Sequence, residues 1–402
     1  YAFPEWRAND QSCLSALYDS NQHIARHINV LNMEDTHRYI GGHRNAMIKH
    51  HFSGTFLAEE VGKKIKRDLF DILQEESNTV TVGNKGGRKW VKHPDSPVLG
   101  GNLGTCFDVS VLRGKVHTNW LQNSTLRARA KYVMYFSWRP FGSIAASLSD
   151  DGIKWGPPAI VMYGHQHLGR EWESIVNRPF VLHMPSSSGD VEDGKYHMWY
   201  SGQPVNESTS SIGYATSSDG VSWQRNTDPV LIAQGWEGDH IMCSHVIYDR
   251  QQSLYRMWYS AGQGYEPIAI GHAVSCDGLT WNRTHDVPIF LPNPSIEWEQ
   301  DRVTCPSVEY NGEYYYMFYI GFTNISKSAI GVARSFDGVT DWERHPNNPI
   351  IYPDENPDGW DYAAVYKPFP LYDGEKWMVW YNGRREEHEQ VGLATLDGYN
   401  LW

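Results

Sequence analysis

Bulky and small side chains alternate in five aromatic-rich stretches, YVMYFSW (132–138), YHMWYSG (196–202), YRMWYSA (255–261), YYMFYIG (315–321) and WMVWYNG (377–383). Period-two alternation predicts strands, and apolar cover on both faces predicts strands buried between neighbouring layers. About ten residues after each comes a second β-type segment that runs into a Gly/Asp turn and, in each copy, a tryptophan: Trp155, Trp223, Trp281, Trp342 and Trp402. These tryptophans are 68, 58, 61 and 60 residues apart, too far for a helical repeat and the length of one four-stranded blade. The pattern predicts an all-β chain built as a five-bladed β-propeller.

Three further segments, 227–232, 286–291 and 347–352, carry a proline that opens a short strand, the mark of a blade edge, where a missing N–H breaks no ladder. Residues 90–100 carry the same edge pattern ahead of the first blade, while the chain stops at Trp402 where the last blade is due such a strand. Residues 90–100 are therefore expected to complete blade five and close the ring, which hides its sheet edges. Residues 1–89 differ in kind. From Asp35 to Leu73 the apolar positions fall near i, i+4 spacing, which predicts an N-terminal α-helical extension, followed by a linker into a propeller of residues 90–402. Such an arm allows a homo-oligomer.

The composition suits this fold and narrows its partners. Seventeen Trp and 24 Tyr suit both a large core and sugar stacking, whereas a net charge of −12 without a basic block excludes a nucleic-acid partner. No apolar run reaches the roughly 18 residues of a spanning helix, and five cysteines without paired spacing signal neither a disulfide framework nor a zinc ribbon, so a cytoplasmic setting is expected. The Asp-Gly turns lack a calcium-loop ligand series and read as hairpin turns packed by an aromatic.

Propeller chemistry sits where the innermost strands meet around the axis. The strands expected there are 104–112, 171–182, 236–248, 298–310 and 359–372. Four begin with Trp followed by an acid: Trp172-Glu173, Trp236-Glu237, Trp298-Glu299 and Trp360-Asp361. Carboxylates converging with aromatic platforms are what glycosidic bond cleavage asks for, one acid to donate a proton and another to act as base or nucleophile.

Residues 90–402 resemble the five-bladed glycosidase superfamily that includes glycoside hydrolase families 43, 32, 68, 117 and 130, on tokens such as MWYSG and IGYATSSDGVSW. The resemblance implies a glycoside hydrolase or transglycosylase acting on a carbohydrate, with an Asp on the first inner strand, an Asp on the second and a Glu acid on the third. Asp108 matches the first. The second blade departs, with Asn177-Arg178 where an Asp is expected; Glu173 is a substitute, and Arg178 suits an anionic sugar. In the third blade both Glu237 and Asp239 are candidates, Asp239 being favoured because it shares its register with Asp301. His240, His245, Asp301, Arg302, Asp361, Lys367, Trp236 and Trp298 complete the expected substrate contacts. Cys106, Cys243 and Cys305 on the inner strands read first as packing. No cofactor or metal is signalled, though the resemblance admits a structural calcium ion at the axis. Two alternatives stay open: a carbohydrate-binding or scaffold propeller that has lost a carboxylate, and a family-130-like phosphorylase with Arg178, Arg302 and Lys367 around phosphate.

Overall fold

The computed structural model describes residues 89–114, 130–165, 169–184 and 194–402; the expected helical extension lies outside them. Lys89–Trp402 forms one compact unit of five antiparallel sheets around an axis, a five-bladed propeller. Blade one comprises β2 (Cys106–Arg113), β3 (Tyr132–Trp138), β4 (Ser143–Ser149) and β5 (Ala159–Tyr163). Blade two has β6 (Ile175–Met184), β7 (Lys195–Gln203), β8 (Ser211–Ser217), β9 (Gln224–Arg225) and β10 (Leu231–Ile232). Blade three has β11 (His240–Asp249), β12 (Leu254–Gly262), β13 (Ala269–Ser275) and β14 (Asn282–Arg283). In blade four the strands are β15 (Arg302–Tyr310), β16 (Tyr315–Asn324), β17 (Lys327–Ser335) and β18 (Glu343–Arg344). Blade five joins β19 (Ala364–Tyr372), β20 (Lys376–Arg385) and β21 (His388–Asp397) to β1 (Val91–Lys92).

The N-terminal segment closes the ring. Val91 pairs with Thr395 and Lys92 with Ala394, while Leu99 bridges to Val391 further along β21. Elsewhere the edges differ from the sequence expectation. The outer strands β9, β14 and β18 directly follow the turn tryptophans, and the proline segments add only β10 and single bridges at Phe290 and Ile351. A proline without an N–H supports one bridge better than a ladder.

The second strands carry the core, as their alternation predicts. Trp199, Trp258 and Trp380 are fully buried, and each donates its indole N–H across to a turn of the next blade, at Gly278, Gly338 and Gly152 (3.0, 2.6 and 2.9 Å). Tyr135 does the same to Gly220 with its hydroxyl, at 2.9 Å. The receiving turns are built by Ser and Asp. In each, the Asp Oδ1 accepts two backbone N–H groups of the turn, for example Val221 and Ser222 on Asp219, both at 2.8 Å. That use of the carboxylate accounts for the Ser-x-Asp-Gly repeat as turn chemistry. Among the described residues, no helix is long and apolar enough to cross a membrane.

Candidate functional site

Each inner strand breaks register once, at the same place: between Phe107 and Ser110, Asn177 and Phe180, Met242 and His245, Thr304 and Ser307, and Tyr366 and Phe369. At each bulge one residue turns left-handed: Asp108 (φ 55), Arg178 (φ 52), Cys243 (φ 55), Cys305 (φ 50) and Lys367 (φ 51). A non-glycine residue in that region costs about 1–3 kcal/mol, and bulges of this kind re-aim side chains beside functional sites. The neighbouring blade stabilises the conformation. The bulge N–H of Arg178 donates to Ser137 Oγ (2.8 Å), that of Cys243 to Ser201 Oγ (3.3 Å), that of Cys305 to Ser260 Oγ (2.6 Å) and that of Asp108 to Asn382 Oδ1 (3.1 Å). All five side chains then line one small axial pocket, floored by Phe180, His245 and Phe369.

The pocket concentrates charge away from water. Lys367 Nζ stands 2.6 Å from Asp108 Oδ1, and Arg178 Nε lies 4.0 Å from Oδ2, which also accepts from Ser137 Oγ at 3.3 Å. Arg178 is braced by Asn177 Oδ1 (3.0 Å) and lies over the Tyr265 ring, 5.6 Å from its centroid. Burial and the nearby Arg178 pull the Lys367 ammonium down, but the Asp108 carboxylate and the two thiols outweigh them and hold it above its ordinary value. Burial likewise opposes the Arg178 charge, yet Tyr265 and Asp108 keep its pKa well above normal. Cys305 Sγ donates to Cys243 Sγ at 2.9 Å. Burial pushes the Cys243 thiol up, but that donated bond together with Arg178 and Lys367 outweighs it, so its pKa falls; Cys305, buried and donating, is pushed well up.

The other expected site residues lie elsewhere. Glu173 and Glu237 are fully buried inside their blades. Glu173 accepts from Tyr200 Oη (2.5 Å) and pairs with Arg170 and Arg225; Glu237 accepts from Tyr259 Oη (2.6 Å) and from Arg283 (2.6 and 2.7 Å). Asp361 is held the same way by Tyr381 (3.0 Å) and Lys92 (2.6 Å). None of these three carboxylates lines the axial pocket. Trp298 packs in its own blade against Tyr319, and Trp236 against the core.

Asp239 and Asp301 stand one residue before β11 and β15, both exposed; Asp239 accepts from Gln263 (3.2 Å) and Asp301 pairs with Arg302 (2.6 Å). Arg302 also donates to the Glu266 carbonyl at 2.9 Å. His240 is buried near Tyr265, its pKa lowered chiefly by burial, although Asp239 opposes the shift. His245 is wedged between Phe180 and Ser307, and burial drives its pKa down to about 3, so the ring stays neutral. Tyr265 and Glu266, on the β12–β13 loop, are additions that the sequence did not flag. They lie outside every repeat, and only an aromatic-acid pair ahead of Pro267 marks them. Among the described residues, no group of three or more His, Cys, Asp or Glu is arranged to hold a metal ion.

No family model matches this chain. Two curated relatives from Mycobacterium tuberculosis, "Uncharacterized protein Rv1502" of strain H37Rv and "Uncharacterized protein MT1551" of strain CDC 1551, are each 32% identical over 149 residues, 36% of this chain and 47% of the relative. The chain thus spans about half the length of the curated relatives it matches. Among solved structures, it is similar to a thermostable family-43 glycoside hydrolase (17% identity, TM-score 0.57, 76% of this chain and 96% of the other). A second likeness is to a structure from the GH130 family of mannoside phosphorylases, which contains glycoside hydrolases (15%, TM-score 0.55, 80% and 96%). A third is to an exo-1,5-α-L-arabinanase from a bovine ruminal metagenomic library (15%, TM-score 0.52, 74% and 94%). The chain therefore has the five-bladed propeller fold that these glycoside hydrolases share.

Proposed function

We propose that the axial pocket cleaves a glycosidic bond, with Asp108 as the protein carboxylate facing the anomeric centre and Arg178 with Lys367 holding an anion beside it. The observation that carries this reading is a single carboxylate flanked by two cations at the axis. Cleavage through two protein carboxylates asks for a second acid on the opposite side of the bond, and the other four bulge positions hold Arg178, Cys243, Cys305 and Lys367. A bound anion makes one carboxylate sufficient. Phosphate held by the guanidinium fork and the ammonium attacks the anomeric carbon as the glycosidic C–O bond breaks; the leaving oxygen takes the proton of the dihydrogen phosphate, relayed through the Asp108 carboxylate, which ends unprotonated as it began. With an acidic sugar in place of phosphate, water is the nucleophile and the proton donor must come from the rim, where Asp239 and Glu266 are the nearest candidates.

A second reading, recognition of a carbohydrate without cleavage, is favoured by one specific feature: Asn177-Arg178 stand where the superfamily resemblance implies a second Asp, and the candidate acids Glu173 and Glu237 are fully buried inside their blades. Thermal-shift screening against neutral and acidic glycans, with and without phosphate, followed by product analysis, separates the two. The expected result is product from the parent protein, with turnover reduced about 10²–10⁴-fold in Asp108→Asn. Sugar 1-phosphate as product identifies phosphorolysis, and a free acidic sugar identifies hydrolysis. Equal binding by both proteins with no product would replace cleavage with recognition.

A further inference from the structure

Cys243 and Cys305 are the only two of the five bulge residues of the same type, and they sit on adjacent blades. Their backbones are fixed at the same left-handed bulge and locked from behind by Ser201 and Ser260, so both sulfurs point into the axial pocket, 2.9 Å apart. A disulfide needs about 2.05 Å, so closure asks for a movement of about 0.9 Å shared between two side-chain rotations. Packing alone does not call for two thiols facing two cations in a pocket.

We propose that Cys243 and Cys305 form an oxidisable dithiol that hydrogen peroxide converts to a disulfide across the axis, beside Arg178 and Lys367. Cys243 is the attacking sulfur. It is half-buried, faces Arg178 and Lys367, and receives the Cys305 hydrogen bond, all of which favour the thiolate, the reactive form. Hydrogen peroxide is small enough to reach both sulfurs in this pocket.

The chemistry balances. The Cys243 thiolate attacks one peroxide oxygen, the S–O bond forms as O–O breaks, and the leaving hydroxide takes a proton from solvent to become water. Cys305 sulfur then attacks Cys243 sulfur; S–S forms, S–O breaks, and the departing hydroxide takes the Cys305 proton as a second water. Two electrons pass from the thiols to peroxide. Oxidation removes the one thiol pair beside Arg178 and Lys367 and leaves Asp108 as the acid that faces the two cations. The thiol chemistry itself does not rest on the proposed cleavage reaction.

The test is peptide mass spectrometry of the full chain, alkylated under denaturing conditions with and without prior peroxide. The expected product is a Cys243–Cys305 cross-linked peptide, lighter by two hydrogens and reversed by dithiothreitol. Cys106, fully buried with its thiol pushed up to about 12, serves as the internal control and stays a thiol. In Cys305→Ser, Cys243 should stop at the sulfenic acid and be trapped by dimedone. If peroxide leaves both cysteines alkylatable in the folded parent, or oxidises Cys106 as fast, the proposal is overturned. The parent measurement decides even where the variant does not fold.

Discussion

Two sets of charged positions repeat around this propeller, and they behave in opposite ways. Inside blades two to five, a fully buried acid at the entry to the inner strand (Glu173, Glu237, Glu299, Asp361) always meets a tyrosine hydroxyl from the second strand and a base from the outer strand. The chemistry is the same at each station. At the axis, the five equivalent bulge positions hold Asp, Arg, Cys, Cys and Lys, so the backbone device is constant and the chemistry varies. A repeated position that keeps its chemistry is part of the repeat's own architecture. One that keeps its geometry while its side chain changes has been released for a task, and here that is the single pocket into which all five converge.

Blade one tests the first half of this rule. It has no acid at the corresponding entry, Gly101–Leu103; Phe136 stands where the other blades have tyrosine; and Trp155 is followed by Gly156 and Pro157 in place of a base. The whole station is lost together, as expected of three groups that satisfy one another, because a lone member would be buried unpaired. The largest predicted effect follows. Glu237→Ala leaves the Arg283 charge and the Tyr259 hydroxyl without their carboxylate, and should cost about 3–5 kcal/mol of stability in denaturant unfolding. An unfolding midpoint unchanged from the parent would remove Glu237 from the architecture and return it to the functional acids. Asp108→Asn is expected to show the converse, a turnover loss far exceeding its effect on the midpoint.

At four of the five bulges the boundary between the two sets is a single hydrogen bond from the bulge N–H to the neighbouring blade, which makes the next prediction smaller. Ser260→Ala removes the acceptor of the Cys305 N–H, leaving a buried donor unpaired at a cost of about 1–3 kcal/mol. It should also loosen the bulge that aims Cys305 at Cys243, so cross-linking by peroxide slows several-fold while the remainder of the fold is retained. Unchanged cross-linking would mean that the neighbouring blade does not set the aim of the axial side chains.

Much of this was legible in the sequence, and what was not has a physical reason. The blades, the inner strands and the closing segment follow from a repeat near 60 residues with period-two alternation inside it; Asp108 and Arg178 were marked by the superfamily resemblance and Lys367 by register. The Trp-acid pairs read as a funnel rim because sequence proximity to the inner strand does not say whether a carboxylate faces the axis or its own sheet. Their partners were present as a second repeat, a base two residues after three of the turn tryptophans (Arg225, Arg283 and Arg344 after Trp223, Trp281 and Trp342), with Lys92 likewise two residues after Trp90 in the closing segment. Pairing the two repeats assigns the acids to the blades. Cys243 and Cys305 were visible on the inner strands but indistinguishable from packing, since the bulge that turns them to the axis is a feature of the ladder; its trace is the following proline, shared by Arg178-Pro179, Cys305-Pro306 and Lys367-Pro368. Tyr265 and Glu266 lie in a loop outside any repeat.

The smallest effects separate the turn carboxylates from the buried histidines by pH. Burial pushes the turn carboxylates up, but the backbone N–H groups they accept outweigh it, so Asp151, Asp219, Asp277 and Asp337 have lowered pKa values. A carboxylate depressed in the folded state contributes stability that is fully present above its unfolded value, about 3.9, and is lost as pH falls through the folded value. For the buried histidines, in the blades (His197, His272) and at the axis (His245) alike, the sign is the same and the window higher. Burial holds His245 neutral with a pKa near 3 against about 6.5 unfolded, so its contribution begins to fade as pH drops below about 6.5. Unfolding midpoints from pH 7 to pH 3 should therefore fall in two stages. Asp219→Asn keeps an acceptor for Val221 and Ser222, so it should leave the upper stage intact and flatten only the part below about pH 4, by the share of one turn in four. His245→Gln, whose neutral amide does not titrate, should shrink the upper stage by its own share and leave the lower one, the rest of the upper stage belonging to the other buried histidines, chiefly His197 and His272, whose pKa values burial also lowers. A variant that altered both stages would show that the turn carboxylates and the buried histidines titrate as one coupled set, and His245 could then not be read apart from the blade turns at the level of stability even if the separation held for the chemistry.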